Sequence, residues 1–191
     1  MGKVIFDISM SLDGFMTAAN RTPDEPMGPG GLSLVEWANA EDNQDYLESA
    51  LADLGAVICG RITYDTSLPW WRADGPTGSA RRPVFVITHE RPENSPEGGV
   101  YHFVTDGIEG ALRRAQVTAG DKDVTIMGGA SVGQQFIGAG LVDEISVHLV
   151  PVLLGGGTRM FDNLHIGHTA LGPPAVIESA GALHLRFPVV R

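Results

Sequence analysis

Short apolar runs recur along this chain, and nearly all of them stop at a glycine or a threonine. They fall in "KVIFDISM" (3–10), "AVIC" (56–59), "PVFVIT" (83–88), "VYHFV" (100–104), "DVTIM" (123–127) and "DEISVHLVPVLL" (143–154). Runs of this length, rich in Val, Ile and Phe, read as strands covered on both faces, the habit of a parallel sheet. Helical patterns lie between them. Leu47, Ala50, Leu51 and Leu54 fall at i, i+3, i+4 and i+7, which predicts a helix over roughly 42–54 stopped by Gly55. Ile108, Ala111, Leu112 and Ala115 repeat the stripe in a helix over 107–119, with Asp106 as N-cap and Gly120 as stop. A short helix is expected at 130–138. Residues 11–31, with three prolines and "GPGG", read as loop.

The tail differs. "AVIESAGALHLRFPVV" (175–190) has the look of a hairpin around "SAGA", with Leu183, Leu185, Phe187 and Val189 on one face. Alternating strands and helices followed by strands alone predict an α/β domain with a mostly parallel sheet and an antiparallel edge. At 191 residues, 1–191 is expected to be a single domain.

Charge narrows the function. A net charge of −10 disfavours nucleic acid and anionic membrane, both of which require a basic face. No apolar stretch reaches the roughly 18 residues of a membrane-spanning helix, and no signal peptide is evident. The single cysteine, Cys59, makes no internal disulfide and fits the reducing cytoplasm. No metal site is expected.

In open α/β sheets ligands sit beyond the carboxyl ends of the strands. Four stretches occupy those places: "SLDGFM" (11–16), "GRITYD" (60–65), "THERPE" (88–93) and "MGGASV" (127–132). In the last, Gly128 and Gly129 end a strand just where a helix begins. That is either a tight turn or a place for a phosphate against backbone N–H groups and a helix dipole. Gly60, Arg61 and Thr63 repeat the pattern at another strand end, with a guanidinium fork and a hydroxyl as phosphate donors. His89 and Arg91 are a polar loop, or a cluster for a sugar 2′-phosphate. Asp13 closes a turn or organises a proton path, and Glu36 lies beside Trp37.

Together with "VDEISVHLVPVLLGGGTRMF" (142–161), these stretches resemble the dihydrofolate reductase-like superfamily, and most closely the reductase domain of bacterial riboflavin biosynthesis and its stand-alone relatives. The resemblance spans about residues 3–190. It implies a three-layer fold with a mostly parallel eight-stranded central sheet, an antiparallel C-terminal edge, and NADPH lying across the strand ends. By the same resemblance Gly60, Arg61 and Thr63 hold the pyrophosphate, and Thr88, His89 and Arg91 reach the 2′-phosphate. Gly128, Gly129, Ala130, Ser131 and Val132 pass beneath the pyrophosphate and nicotinamide ribose, with a cis peptide between the two glycines. The expected activity is hydride transfer to a C=O or C=N group of a small, pterin- or ribosylaminopyrimidine-like substrate. Asp13 and Glu36 are the candidate catalytic acids and Trp37 a substrate contact. The alternatives are a non-catalytic nucleotide-binding module or a homodimeric structural protein. A homodimer built on the late strands is expected, because 183–190 and "VHLVPVLL" would leave an apolar sheet edge.

Overall fold

The computed structural model describes residues 2–190. An eight-stranded sheet divides it. The strands are β1 (Val4–Ser11), β3 (Leu54–Gly60), β4 (Val84–Ile87), β5 (Tyr101–Val104), β6 (Asp123–Met127), β7 (Glu144–Val150), β9 (Ala175–Ser179) and β10 (Ala182–Pro188). Their order is β5-β4-β3-β6-β1-β7-β10-β9, parallel from β5 to β7 and antiparallel in the last two pairs. The expected mostly parallel sheet with an antiparallel C-terminal edge is what forms.

Among the described residues four α-helices cover it: α1 (Gln44–Asp53), α2 (Arg61–Trp71), α3 (Gly107–Ala119) and α4 (Ala130–Gly138). Alternation along each strand assigns the faces. Phe6, Ile58 and Ile126 point one way and bury against Ala111, Leu112 and Ala115 of α3 and Phe136 of α4. Val57 and Cys59 point the other way, against Tyr64 and Leu68 of α2 and Leu51 of α1. Cys59 is wholly buried, and that burial pushes its thiol up to about 12, which makes it inert packing.

Several sequence expectations are corrected. The 11–31 stretch is not all loop: β2 (Phe15–Ala18) pairs antiparallel with β8 (Gly157–Arg159) in a separate two-stranded sheet. The first helix ends at Asp53, and Leu54 and Gly55 already belong to β3. Asp106 precedes α3 without capping it; its carboxylate is held by Arg114 instead, at 2.6 and 3.0 Å. The strand expected over 143–154 stops at Val150, because Pro151 has no N–H to continue the ladder. β7 is also interior, between β1 and β10, so "VHLVPVLL" is not the exposed edge. That edge is β9.

The Phe6 ring of β1 packs on Gly133 of α4 so closely that any Cβ there would overlap it. A rigid ring and a helix backbone have little room to give. Gly133→Ala is therefore expected to destabilise the fold by about 1–3 kcal/mol, despite the better helix propensity of alanine. Thermal or urea denaturation checks this, and an unchanged or raised midpoint would contradict it.

Candidate functional site

Two strand ends meet at the centre of the sheet. After β3 the chain turns toward β4, while after β6 it crosses to the opposite side, to β7. Adjacent strands whose continuations diverge leave a crevice between their carboxyl ends, the usual ligand position in such sheets. The walls of that crevice are "GRIT" and "MGGASV".

Contacts between these walls explain the glycines. A Cβ on Gly60 would lie 2.9 Å from Val132 Cγ2. A Cβ on Gly128 would lie 2.9 Å from Thr63 Cγ2, and one on Gly129 would lie 3.3 Å from Thr63 Oγ1. Both glycines of the pair take left-handed φ, 72° and 79°, a region that glycine occupies without strain. All peptide bonds among the described residues are trans, so the expected cis bond between Gly128 and Gly129 is corrected. The turn is made by φ rather than by ω. Ala130 opens α4 directly afterwards, as expected, with Gly129 as its N-cap and Ser131 exposed in its first turn.

Arg61 opens α2 and is shared among neighbours. Its Nε lies 2.8 Å from both Asp65 carboxylate oxygens, and its Nη1 donates to Thr88 Oγ1 at 3.3 Å and to the Glu90 carbonyl at 3.2 Å. Thr88, buried at the end of β4, donates in turn to the Glu90 carbonyl at 2.7 Å. The "GRIT" and "THER" turns are thereby tied together. His89 and Arg91 stay exposed at the rim, the Arg91 guanidinium 5.7 Å from the centre of the Phe103 ring. Beside α2 a cleft of about 500 Å³ runs between Ile62, Thr66 and Trp70 and the loop carrying Arg21 and Pro26.

Asp13 is a brace. Its carboxylate accepts from Ser11 Oγ at 2.5 Å, from the Leu154 N–H at 3.1 Å and from the Gly155 N–H at 2.7 Å. The Ser11 hydroxyl, then the Gly155 and Leu154 amides, hold its pKa below the ordinary carboxylate value. "SLDG" and "PVLLGGG", far apart in sequence, are thus halves of one unit. β2 and β8 extend it, and the Arg159 guanidinium lies 4.4 Å from the Phe15 ring centre. Glu36 is exposed, whereas Trp37 beside it is buried and donates from Nε1 to Ser9 Oγ at 3.0 Å.

Sequence reading missed a polar patch on the α2 face of the sheet. Asp7 Oδ1 lies 2.6 Å from His148 Nε2, and His148 Nδ1 lies 2.8 Å from His184 Nδ1. Both histidines are buried. Trp37 covers them, its ring centre 4.4 Å from that of His148, and Tyr46 stacks on His184 at 4.1 Å. The signal was present as alternation: Asp7, Ser9 and Ser11 on one strand, and Ser146 and His148 on the strand that pairs with it.

Comparisons with known proteins bear on the family and the fold. Residues 2–173 match the family model described as the RibD C-terminal domain. The uncharacterized protein YyaP of Bacillus subtilis (strain 168) is 28% identical across 83% of this chain and 80% of its own length. The riboflavin biosynthesis protein RibD of Corynebacterium ammoniagenes is also 28% identical, and the match takes in 90% of this chain but 51% of that protein. This chain thus spans about half of that relative. Among solved structures, dihydrofolate reductase from Enterococcus faecalis complexed with NADP(H) superposes with a TM-score of 0.60 over 100% of this chain and 98% of that one, at 15% identity. The fold is dihydrofolate reductase-like.

Two measurements test the site's electrostatics. Burial, then the neighbouring His148, lowers the His184 pKa to about 4 from 6.5, so the folded state resists a proton that the unfolded chain accepts. Stability is therefore expected to fall as pH drops from about 6.5 to about 4. In His184→Asn that part of the pH dependence should shrink; an unchanged slope would contradict the assignment. Asp13→Ala should free the Leu154 and Gly155 amides, raising their hydrogen exchange at least tenfold or so while core amides keep their protection. Unchanged exchange at those two positions would remove Asp13 as the brace.

Proposed function

We propose that this chain, which belongs to the RibD C-terminal domain family, is an NADPH-dependent reductase of a small heterocyclic substrate, pterin- or ribosylaminopyrimidine-like. The observation that carries this reading is the convergence of two glycine-ended strands at the switch point, with Thr63 resting on Gly128 and Gly129. Bound there, NADPH would supply the hydride. The chain's own residues supply binding, orientation and a proton.

In this reading the N–H groups at the start of α4, around Ala130, Ser131 and Val132, face the pyrophosphate, and Gly128 and Gly129 let it approach the main chain. Arg61 contributes charge from the other wall by exchanging its contacts to Asp65 and Glu90 for phosphate oxygens. Thr88 is already oriented, and His89 and Arg91, exposed at the rim, close on the 2′-phosphate. Asp13 stays ionised and holds the loop after β1 against Leu154 and Gly155, which fixes the edge of the nicotinamide end. Trp37 forms a rigid wall toward the substrate, and Glu36 beside it is free to contact a substrate group. The working compartment in this reading is the cytoplasm, and no helix of the described residues is long and apolar enough to cross a membrane.

A second copy of the chain is the proposed partner. Val176, Ile177 and Leu183, at 55%, 45% and 39% exposure, leave the β9 edge apolar and open to pairing. Light scattering at micromolar protein should give twice 20.2 kDa; the monomer mass would contradict the dimer.

Cofactor titration tests the main reading. NADPH should bind more tightly than NADH by about 1.5–3 kcal/mol, the worth of a charge-assisted contact. His89→Ala and Arg91→Ala should erase that preference, and Arg61→Ala should weaken both cofactors. Equal affinities in the parent protein would contradict the assigned 2′-phosphate cluster. Binding without oxidation across a panel of pterins and ribosylaminopyrimidines would favour a nucleotide-binding module instead.

A further inference from the structure

Four side chains that the nucleotide crevice does not use stand in one line across the sheet. Beyond the contacts of Asp7 with His148 and of His148 with His184, the His184 Nε2 lies 2.6 Å from Ser179 Oγ. They come from β1, β7, β10 and β9, neighbours in that order. Asp7 is the open end, its side chain 23% exposed. Its partner in register is Met127, the last residue before Gly128, so Asp7 flanks the crevice. Among the described residues no group of His, Cys, Asp and Glu is arranged to hold a metal ion.

Hydrogen counting limits the line to two proton sets, because two facing Nδ1 atoms at 2.8 Å share one proton. In the first, the Ser179 hydroxyl donates to His184 Nε2, His184 Nδ1 to His148 Nδ1, and His148 Nε2 to Asp7. In the second, the Ser179 hydroxyl donates to the Ala182 carbonyl at 3.2 Å and Oγ accepts from His184 Nε2 at 2.6 Å. With Nε2 protonated, neutral His184 has a bare Nδ1, so His148 Nδ1 is the donor. On the far side of His148, a bare Nε2 against a carboxylate oxygen would set lone pairs against each other at 2.6 Å. In this second set that contact therefore holds one further proton. The Asp7–His148 pair carries it, as carboxylate with imidazolium or as acid with imidazole.

We propose that Asp7 is the proton donor of the reaction, that His148 shares its proton, and that His184 and Ser179 are positioning residues that fix the His148 tautomer. This rests on the reductase reading above. Reduction of a C=N or C=O group adds a hydride to carbon and a proton to the heteroatom. A reduced nicotinamide is the two-electron donor and is oxidised; the proton leaves the Asp7–His148 pair as the new N–H or O–H bond forms. The pair is left as a carboxylate facing a bare Nε2, and solvent recharges it through the exposed side of Asp7. The other charged and titratable groups around the pair are His184, Tyr46 of α1, and Arg186 of β10, with Glu144 of β7 3.8 Å from Arg186.

Nitrogen NMR of the histidine rings at pH 7, without cofactor, tests the stored proton. The expected spectrum has His148 protonated at Nδ1 and His184 at Nε2. A bare His148 Nδ1 opposite a protonated His184 Nδ1 overturns the proposal. Asp7→Asn should keep NADPH affinity within about threefold and lower turnover of a dihydropterin or ribosylaminopyrimidine probe by at least about a hundredfold, the usual worth of a general acid. It should also flatten the pH profile. Undiminished turnover overturns Asp7 as donor. A parent protein that reduces neither probe counts against the reductase reading, and the nitrogen spectrum still upholds or overturns the stored proton.

Discussion

Thr63 in the first turn of α2 and Gly128 and Gly129 after β6 cannot vary independently. The threonine side chain occupies the space where either glycine would carry a Cβ, and Val132 does the same for Gly60. A side chain at any of these positions would push α2 away from α4. The close approach of the β3 and β6 ends would then be lost. Five residues on two distant segments, Gly60, Thr63, Gly128, Gly129 and Val132, thus fit one another where two strand ends and two helix starts meet. Left-handed φ at both glycines adds a second reason that no other residue fits there without strain.

Around that junction the two faces of the sheet serve different ends. The α3–α4 face is apolar, with Phe6, Ile58, Ile126 and Phe136 almost without exposure. It makes the domain stable and places the strand ends. The opposite face is apolar under α2 but polar toward β7 and β10, where Asp7, His148 and His184 lie beneath Trp37 and Tyr46. Burying such groups costs free energy unless each donor meets an acceptor. The single-file arrangement Asp7–His148–His184–Ser179 meets that requirement, and it leaves one acid at the open end.

Much of this was legible in the chain. The long strands and the helix at 107–119 announce themselves, because the helix's apolar period and its glycine stop agree with the final packing. The glycine-ended turns after β3 and β6 were legible as candidate ligand positions, and only the strand order sets them side by side. Elements that depend on distant partners did not show. β2 has four residues and is a strand only because the "GGGTR" segment pairs with it. α2 was not read as a helix of stated length, because Pro69 stands inside it and breaks the pattern. Asp106 has the right residue type for a cap, yet Arg114, eight residues on, competes for its carboxylate. The histidine line was hidden for the same reason. Its members are up to 177 residues apart in the chain, counting from Asp7 to His184, and only the strand order β1-β7-β10 brings them together.

The central claim is that the β3–β6 crevice is the dinucleotide site. Backbone amide shift mapping of the isotope-labelled protein during NADPH addition tests it most directly. The account predicts that the largest changes fall on Gly60 to Thr63 and on Gly128 to Val132, with smaller ones at Thr88 to Arg91. The β9–β10 hairpin should stay unmoved. Changes concentrated elsewhere, or none at millimolar NADPH, would contradict it.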